Sequence, residues 1–362
     1  MTHVLVVRLD NAGDVLLAGP AIRAVAATSR RVTLLCGPNG AEAGALLPGV
    51  DAVLRWRSPW IDPRPDPVLP AHVDELVDAV RAARPDRALI LTSFHQSALP
   101  TALLLRLAGV PWIGAASEDY PGSLLDLRHR PTDGVHEVER GLSLAAAAGY
   151  RLPPADDGRL AVRLVCHSPL TPRRKPYVVL HPGASVSARA WPPGRWRELA
   201  GLLGAKGHSV VVTGGSPEQA LTSGVAAAYG RGDVVDLGGR TSLPELARVL
   251  ADAAVVVVAN TGPAHLAAAV GTPVVSLFAP TVPYEAWRPW GVPVAMLGRG
   301  DAPCRGSRVT ECPFPGHPCL TSVSAGEVAA AIESLVPSVV ASHASPTACS
   351  EPLRLARTVQ EV

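Results

Sequence analysis

Short apolar blocks alternate along this chain with stretches of helical period, and the alternation starts twice. His3 to Arg8 (HVLVVR) is an apolar run, Leu9 to Asp14 is a polar loop, and Val15 to Ala27 then carries Leu, Ile and Val at helical spacing. Arg31 to Cys36 (RVTLLC) and Ala88 to Thr92 (ALILT) repeat the strand signature. A helix is expected over Val73 to Ala83, where Leu76, Val77 and Val80 share one side. The Pro-rich segment Trp56 to Pro70 reads as an irregular loop. Strands alternating with helices at this interval imply a parallel sheet.

Between Arg151 and Pro176 the composition shifts to repeated Pro and the cluster Thr171 to Lys175 (TPRRK), which fits a linker. The alternation then resumes. Strands are expected at Tyr177 to His181, Ser209 to Thr213, Asp233 to Asp236 and Ala254 to Ala259, and Pro273 to Phe278 is expected to close the sheet. Helices are expected at Pro193 to Lys206, Pro217 to Tyr229, Leu243 to Ala251, Ala264 to Val270 and Ala325 to Leu335. The remaining tail has Ser and Pro but no apolar period, and reads as disordered. The expected architecture is α/β, with doubly wound parallel-sheet domains over residues 1–170 and 171–336, a disordered tail over 337–362, and an active site in the cleft between the domains, beyond the strands' C-terminal ends.

A length of 362 residues supports two domains, each with its own core. The formal charge of +2, with no basic arm, offers no field to gather nucleic acid, so a small, individually bound substrate is expected. No apolar stretch is long enough for a membrane span, and Arg8, Asp10 and Asp14 interrupt any signal-peptide core; a cytoplasmic location is expected. Six cysteines make no disulfide scaffold at this size. Cys304, Cys312 and Cys319 share a loop with His317, but their spacing matches no usual ligand pair, so a loop packed around thiols is expected and no bound metal.

Three segments carry candidate chemistry. In the first, Asp14 stands at the junction of loop and helix after the first strand, beside Gly13, which lets the backbone approach closely. Its carboxylate either faces a substrate or caps the helix, and spacing does not choose between them. Asp10, two residues after the strand, reads as a turn former. In the second, His181 to Trp196 (HPGASVSARAWPPGRW), a strand ends in a Gly-containing loop with Ser185, Ser187 and Arg189. Arg offers paired donors to phosphate oxygens, though a surface Arg beside a core Trp has the same pattern. In the third, Val255 to Ala269 (VVVVANTGPAHLAAA), a buried strand turns through Asn260, Thr261 and Gly262 into a helix with Pro263 in its first turn. Free amides there favour an anion, and His265 lies one turn in. Glu218, after Gly214 and Gly215, suits a ribose diol or simply a helix first turn. No GxGxxG follows a predicted strand and no GxxxxGK[ST] occurs, which counts against ordinary dinucleotide binding and P-loop chemistry.

Taken in order, these segments resemble glycosyltransferase family 9, which includes the bacterial ADP-heptose:lipopolysaccharide heptosyltransferases. The resemblance spans roughly residues 3 to 335 and is carried by VLVVRLDNAGDVLLAGPAIRA, YVVLHPGASVSARAWPPGRWRELA and LGGRTSLPELARVLADAAVVVVANTGPAHLAAAVGTPVVSLFAPT. It implies the GT-B fold, two Rossmann-like domains facing across a cleft, the N-terminal one taking the acceptor and the C-terminal one the nucleotide-sugar, with metal-free inversion at the anomeric carbon. Asp14 matches the family's general base. Arg189 stands where many members have Lys, with Ser185 and Ser187 in the adjoining phosphate loop. Thr261, Gly262 and His265 match the segment at the donor diphosphate, Glu218 corresponds approximately to an acidic ribose contact, and Asn260 replaces the family's usual Asp. The cysteine loop also has counterparts in many members. The function implied is transfer of heptose or a related sugar from a nucleoside diphosphate, favoured as ADP, to a hydroxyl on a glycan, lipid-linked saccharide or metabolite, with at most peripheral membrane contact. The alternatives are a nucleotide-sugar epimerase of similar fold and a non-catalytic nucleotide-sugar-binding module.

Overall fold

The computed structural model describes residues 2–62, 65–164, 176–230 and 233–340, the last four as backbone alone. The chain divides into two compact units, one reaching Arg163 and the other beginning at Leu164. The linker cluster Thr171 to Lys175, Cys166, Cys349 and the tail beyond residue 340 lie outside the described residues.

The first unit is built on six parallel strands: β1 (His3–Arg8), β2 (Arg31–Cys36), β3 (Ala52–Arg55), β4 (Arg87–Ile90), β5 (Trp112–Ala116) and β6 (Leu127–His129). Their order is β3-β2-β1-β4-β5-β6, and Val4 of β1 sits between Val32 and Arg87. Every residue of β1 is buried, because helices cover both faces of a parallel sheet, and the strand therefore reads as a continuous apolar run. Leu5 and Val7 pack with Leu76, Val80, Ile90 and Leu105 in the core.

The helix expected at Val15 to Ala27 is two helices, Ala12–Leu17 and Gly19–Ala26. The first begins three residues earlier than expected, so Asp14 lies inside its first turn. Pro20 falls in the first turn of the second helix, where its missing amide costs nothing. The helix expected from Val73 starts at Pro70 for the same reason and ends where Arg84 turns left-handed at φ 50°.

The second unit repeats the topology with β7 (Tyr177–His181), β8 (Ser209–Val212), β9 (Val234–Asp236), β10 (Val255–Ala259), β11 (Val274–Leu277) and β12 (Val294–Leu297), ordered β12-β11-β10-β7-β8-β9. Pro273 to Phe278 does not close this sheet, because β12 pairs outside it, Val274 beside Val294. The four residues of β12 are only half-buried, which leaves no strong apolar signal to read. Trp191 and Trp196 anchor the core edge to face, centroids 5.1 Å apart, and the Trp191 ring N–H donates to the Val323 carbonyl at 3.2 Å. The last helix runs from Ala325 to Val340 rather than stopping at Leu335, so residues 337–340, expected in the disordered tail, are helical. Val336 packs against the apolar core of this unit, which carries the helix past Leu335. Among the described residues, no helix is long and apolar enough to cross a membrane.

Candidate active site

Each sheet reverses its strand order once, between β1 and β4 in the first unit and between β7 and β10 in the second. Ligands of doubly wound sheets bind at such switch points, outside the strands' C-terminal ends. The three candidate segments follow β1, β7 and β10, so topology brings each to a switch point of its own unit.

In the first unit the helix Ala12–Leu17 has Asn11 at its N-cap position, and Asp14 is its third residue. Asp14 therefore does not cap the helix. Its Oδ1 accepts from Arg8 Nη2 at 3.1 Å instead. Arg8, the last residue of β1, is 4% exposed and ties together side chains distant in sequence. Its Nη2 donates to Ser93 Oγ at 2.7 Å, its Nη1 reaches Glu137 Oε2 at 3.4 Å, and its Nε lies 2.9 Å from Asp10 Oδ2, an ion pair by distance whose N–H is not aligned for a hydrogen bond. Asp10 also accepts from Gln96, so it belongs to this ion network and does more than form a turn.

Burial raises the pKa values of Asp10 and Glu137 against the opposing pull of Arg8. The Arg8 guanidinium, despite burial, is raised by Asp10, Asp14 and Glu137. Of the three carboxylates Asp14 is the accessible one, at 22% side-chain exposure against 10% for Asp10 and 3% for Glu137. It opens into a small pocket lined also by Thr92, Glu137, Arg140 and Leu144. Thr92 Oγ1 is buried there without a hydrogen-bond partner among the described residues. Gly13 is buried behind Asp14, as the second residue of the helix. Arg8, Ser93, Glu137 and Arg140 were not singled out from sequence. The one available signal was a charged residue ending an otherwise apolar strand.

In the second unit the loop after β7 forms a single 3-10 turn, Ser187–Arg189. Its Ala188 N–H and Ser187 hydroxyl both donate to the Thr310 carbonyl, at 3.0 and 3.3 Å, and His317 Nε2 donates to the Ala188 carbonyl at 3.0 Å. The cysteine loop thus braces this turn. Arg189 Nη1 reaches the Asn260 carbonyl at 3.4 Å, which unites two of the expected segments. Ser185 is exposed, and Ser187 faces Thr310.

Asn260 is 7% exposed and forms a reciprocal pair with the backbone of Ala279: Nδ2 donates to the carbonyl at 3.3 Å, and Oδ1 accepts the N–H at 3.2 Å. Thr261 is the N-cap of the helix Gly262–Ala269, yet its side chain makes no cap bond. The amide of Gly262 thus stands at a helix N-terminus that favours an anion. His265 is buried within that helix. Glu218 sits beyond the end of β8, its Oε2 accepting the Gly215 N–H at 2.7 Å.

Cys304 and Cys319 lie in the apolar core of this unit. Burial, followed by the nearby Cys304 and Cys312 thiols, pushes Cys319 up to about 11. Among the described residues no group of His, Cys, Asp and Glu is arranged to hold a metal ion.

Two Rossmann-like parallel sheets, each with polar side chains at its switch point, are the α/β architecture of the GT-B class. The model of glycosyltransferase family 9 (heptosyltransferase) matches residues 73–317, and the chain belongs to that family. It is 30% identical over 297 residues to lipopolysaccharide heptosyltransferase 1 of Salmonella typhimurium, covering 78% of this chain and 89% of that protein. Among solved structures, a family 9 glycosyltransferase from Veillonella parvula superposes with TM-score 0.76 at 17% identity, covering 93% of this chain and 98% of that one. The Escherichia coli heptosyltransferase WaaC with ADP-2-deoxy-2-fluoro heptose superposes with TM-score 0.68 at 22% identity, covering 92% and 99%.

Proposed function

We propose that this protein transfers a heptose or closely related sugar from an ADP-linked donor to a hydroxyl of a cell-surface glycan precursor, with inversion at the anomeric carbon. The observation that carries the reading is Asp14, the accessible carboxylate of an otherwise buried cluster, held at a switch point by Arg8. Asp14 takes the proton of the acceptor hydroxyl. The freed oxygen lone pair forms the new bond to the anomeric carbon as the bond to the donor's phosphate oxygen breaks, and that electron pair leaves on the nucleoside diphosphate.

Arg189, Thr261 and the Gly262 amide stabilise the departing charge, Ser185 and Ser187 line the phosphate loop, His265 contacts the donor, and Glu218 holds its ribose. The support for these roles is the 3.4 Å contact between Arg189 and the Asn260 carbonyl, and the uncapped helix start beside it. Asn260 serves the donor site indirectly, through the Ala279 segment that it fixes. We further propose a cytoplasmic location, where nucleotide-sugars are made, and an N-terminal acceptor domain over residues 1–170 with a donor domain over 171–336.

A nucleotide panel tests the donor half. ADP, GDP, UDP and dTDP are compared by thermal stabilisation, since a ligand at about 100 times its dissociation constant adds ~2.7 kcal/mol to the folded state. ADP is expected to stabilise most; no response to any of them refutes the donor site.

A further inference from the structure

Gly183 and Glu218 compete for one space. Gly183 is the second residue after β7, and a Cβ built on it would lie 1.9 Å from Glu218 Oε1, 2.1 Å from Cδ and 2.3 Å from Oε2. These distances are far inside van der Waals contact, so the carboxylate fills the place that any side chain at position 183 would take. Backbone conformation does not demand glycine here, because Gly183 is not among the residues with positive φ. The requirement is space alone.

On its other side the same carboxylate accepts the Gly215 N–H at 2.7 Å, and a Cβ on Gly214 would stand 3.1 Å from Oε2. Glu218 is therefore seated between the loops that follow the paired strands β7 and β8, held by a backbone amide from one and by a missing side chain in the other. The three heavy atoms nearest to a methyl group at 183 all belong to the end of one flexible side chain. Swinging Glu218 outward would relieve this overlap and take the carboxylate out of its seat.

We propose that Gly183 is a positioning residue of the nucleotide site, its bare backbone setting the Glu218 carboxylate where it accepts the ribose hydroxyls of a nucleoside diphosphate. This rests on the reading of Glu218 as the ribose ligand. Wild type, G183A, E218A and the double variant are titrated calorimetrically with ADP and with the dideoxy analogue that lacks both ribose hydroxyls, and thermal unfolding is followed in parallel. Losing a charge-assisted hydrogen bond weakens ADP binding roughly tenfold or more in both G183A and E218A. Unfolding midpoints of G183A and E218A agree with each other, since both lose the bond to the Gly215 N–H, the double variant binds ADP as E218A does, and the dideoxy analogue binds wild type and G183A equally.

Wild-type ADP affinity in G183A overturns the inference, as does an equal loss for both ligands or a double variant weaker than E218A. If G183A alone fails to fold, the double variant still decides, because its methyl group has no carboxylate to displace: affinity and stability equal to E218A sustain the inference, and lower values overturn it. A wild type that does not bind ADP overturns the nucleotide reading itself, and this inference with it.

Discussion

Replacing Asn260 by Asp introduces the residue that the resemblance implies at this position, yet in this protein it should destabilise. Asn260 is buried and uses both ends of its amide on one residue, donating to the Ala279 carbonyl at 3.3 Å and accepting the Ala279 N–H at 3.2 Å. An ionised Asp keeps the second bond and turns the first into an oxygen facing an oxygen. A buried carbonyl left without its donor costs about 1–3 kcal/mol. Repulsion adds to that figure and the neighbouring Arg189 guanidinium offsets part of it, so the range stands as the expectation.

For a unit of this size each kcal/mol moves the unfolding midpoint by about 2–4 °C, which makes the expected loss about 2–12 °C at pH 8. The deficit carries a pH signature. A protonated Asp can donate to the Ala279 carbonyl, so its folded-state pKa rises above the unfolded value of about 3.9. Stability is then regained as the pH falls through the folded-state pKa and lost as it rises. Scanning calorimetry of wild type and N260D at pH 8 and pH 5 measures both effects. A variant as stable as wild type at pH 8, or a deficit that does not shrink at pH 5, refutes the assignment of Asn260 as a clip for the Ala279 segment.

Arg189→Ala should weaken ADP binding and slow turnover together, because the charge it supplies acts on the leaving diphosphate; calorimetry and initial rates report the two losses. Burial lowers the pKa of His181, whose Nδ1 lies 2.9 Å from Thr213 Oγ1, and Glu218 opposes the shift. The unfolded chain therefore takes up a proton more readily than the folded one, and stability falls as the pH drops below about 6.5. Thermal unfolding from pH 7.5 to 5 should show a shallower acid decline in H181Q than in wild type, with a residual slope from His3 and His129, which burial also lowers. Burial pushes Cys36 up to about 12 and Cys319 up to about 11, whereas Cys312 is only half-buried. Brief alkylation at pH 8 followed by peptide mass spectrometry should label Cys312 well ahead of Cys36, Cys304 and Cys319.

β1 and β10 were legible because strands buried on both faces of a parallel sheet are continuous apolar runs, HVLVVR and VVVVA. β3, β5, β6 and β12 were not: three of them hold three or four residues with partial exposure and look like loop, and β5, WIGAA, though mostly buried, is a short run broken by Gly114. Asp14 is visible as the acidic residue at the end of the first strand's loop, but the helix starts at Ala12, ahead of the first apolar residue of its period, so its first turn carries no periodic signal.

The ion network around Arg8 was hidden for a different reason. Glu137 lies 129 positions away and Ser93 lies 85 away, and pairings at such separations follow from strand order, which no local pattern encodes. The Arg189 contact with Asn260 spans 71 positions in the same way. Only the resemblance, which orders whole segments, implies a shared donor site for those two from sequence. The tight fit of Glu218 over Gly183 had no local signal, since a glycine kept for space looks like a glycine kept for a turn.

The most direct test of glycosyl transfer through Asp14 is release of ADP from ADP-heptose in the presence of heptose-free lipopolysaccharide acceptor, measured for wild type and D14N alongside calorimetric ADP affinity. Wild type should release ADP with matching acceptor glycosylation, and D14N should bind ADP as wild type does while turning over about 10²- to 10⁴-fold more slowly, the usual worth of a general base. Full turnover by D14N would remove Asp14 from the chemistry, and a folded wild type that binds ADP but transfers nothing from ADP-heptose to this acceptor would contradict the proposed donor and acceptor pairing.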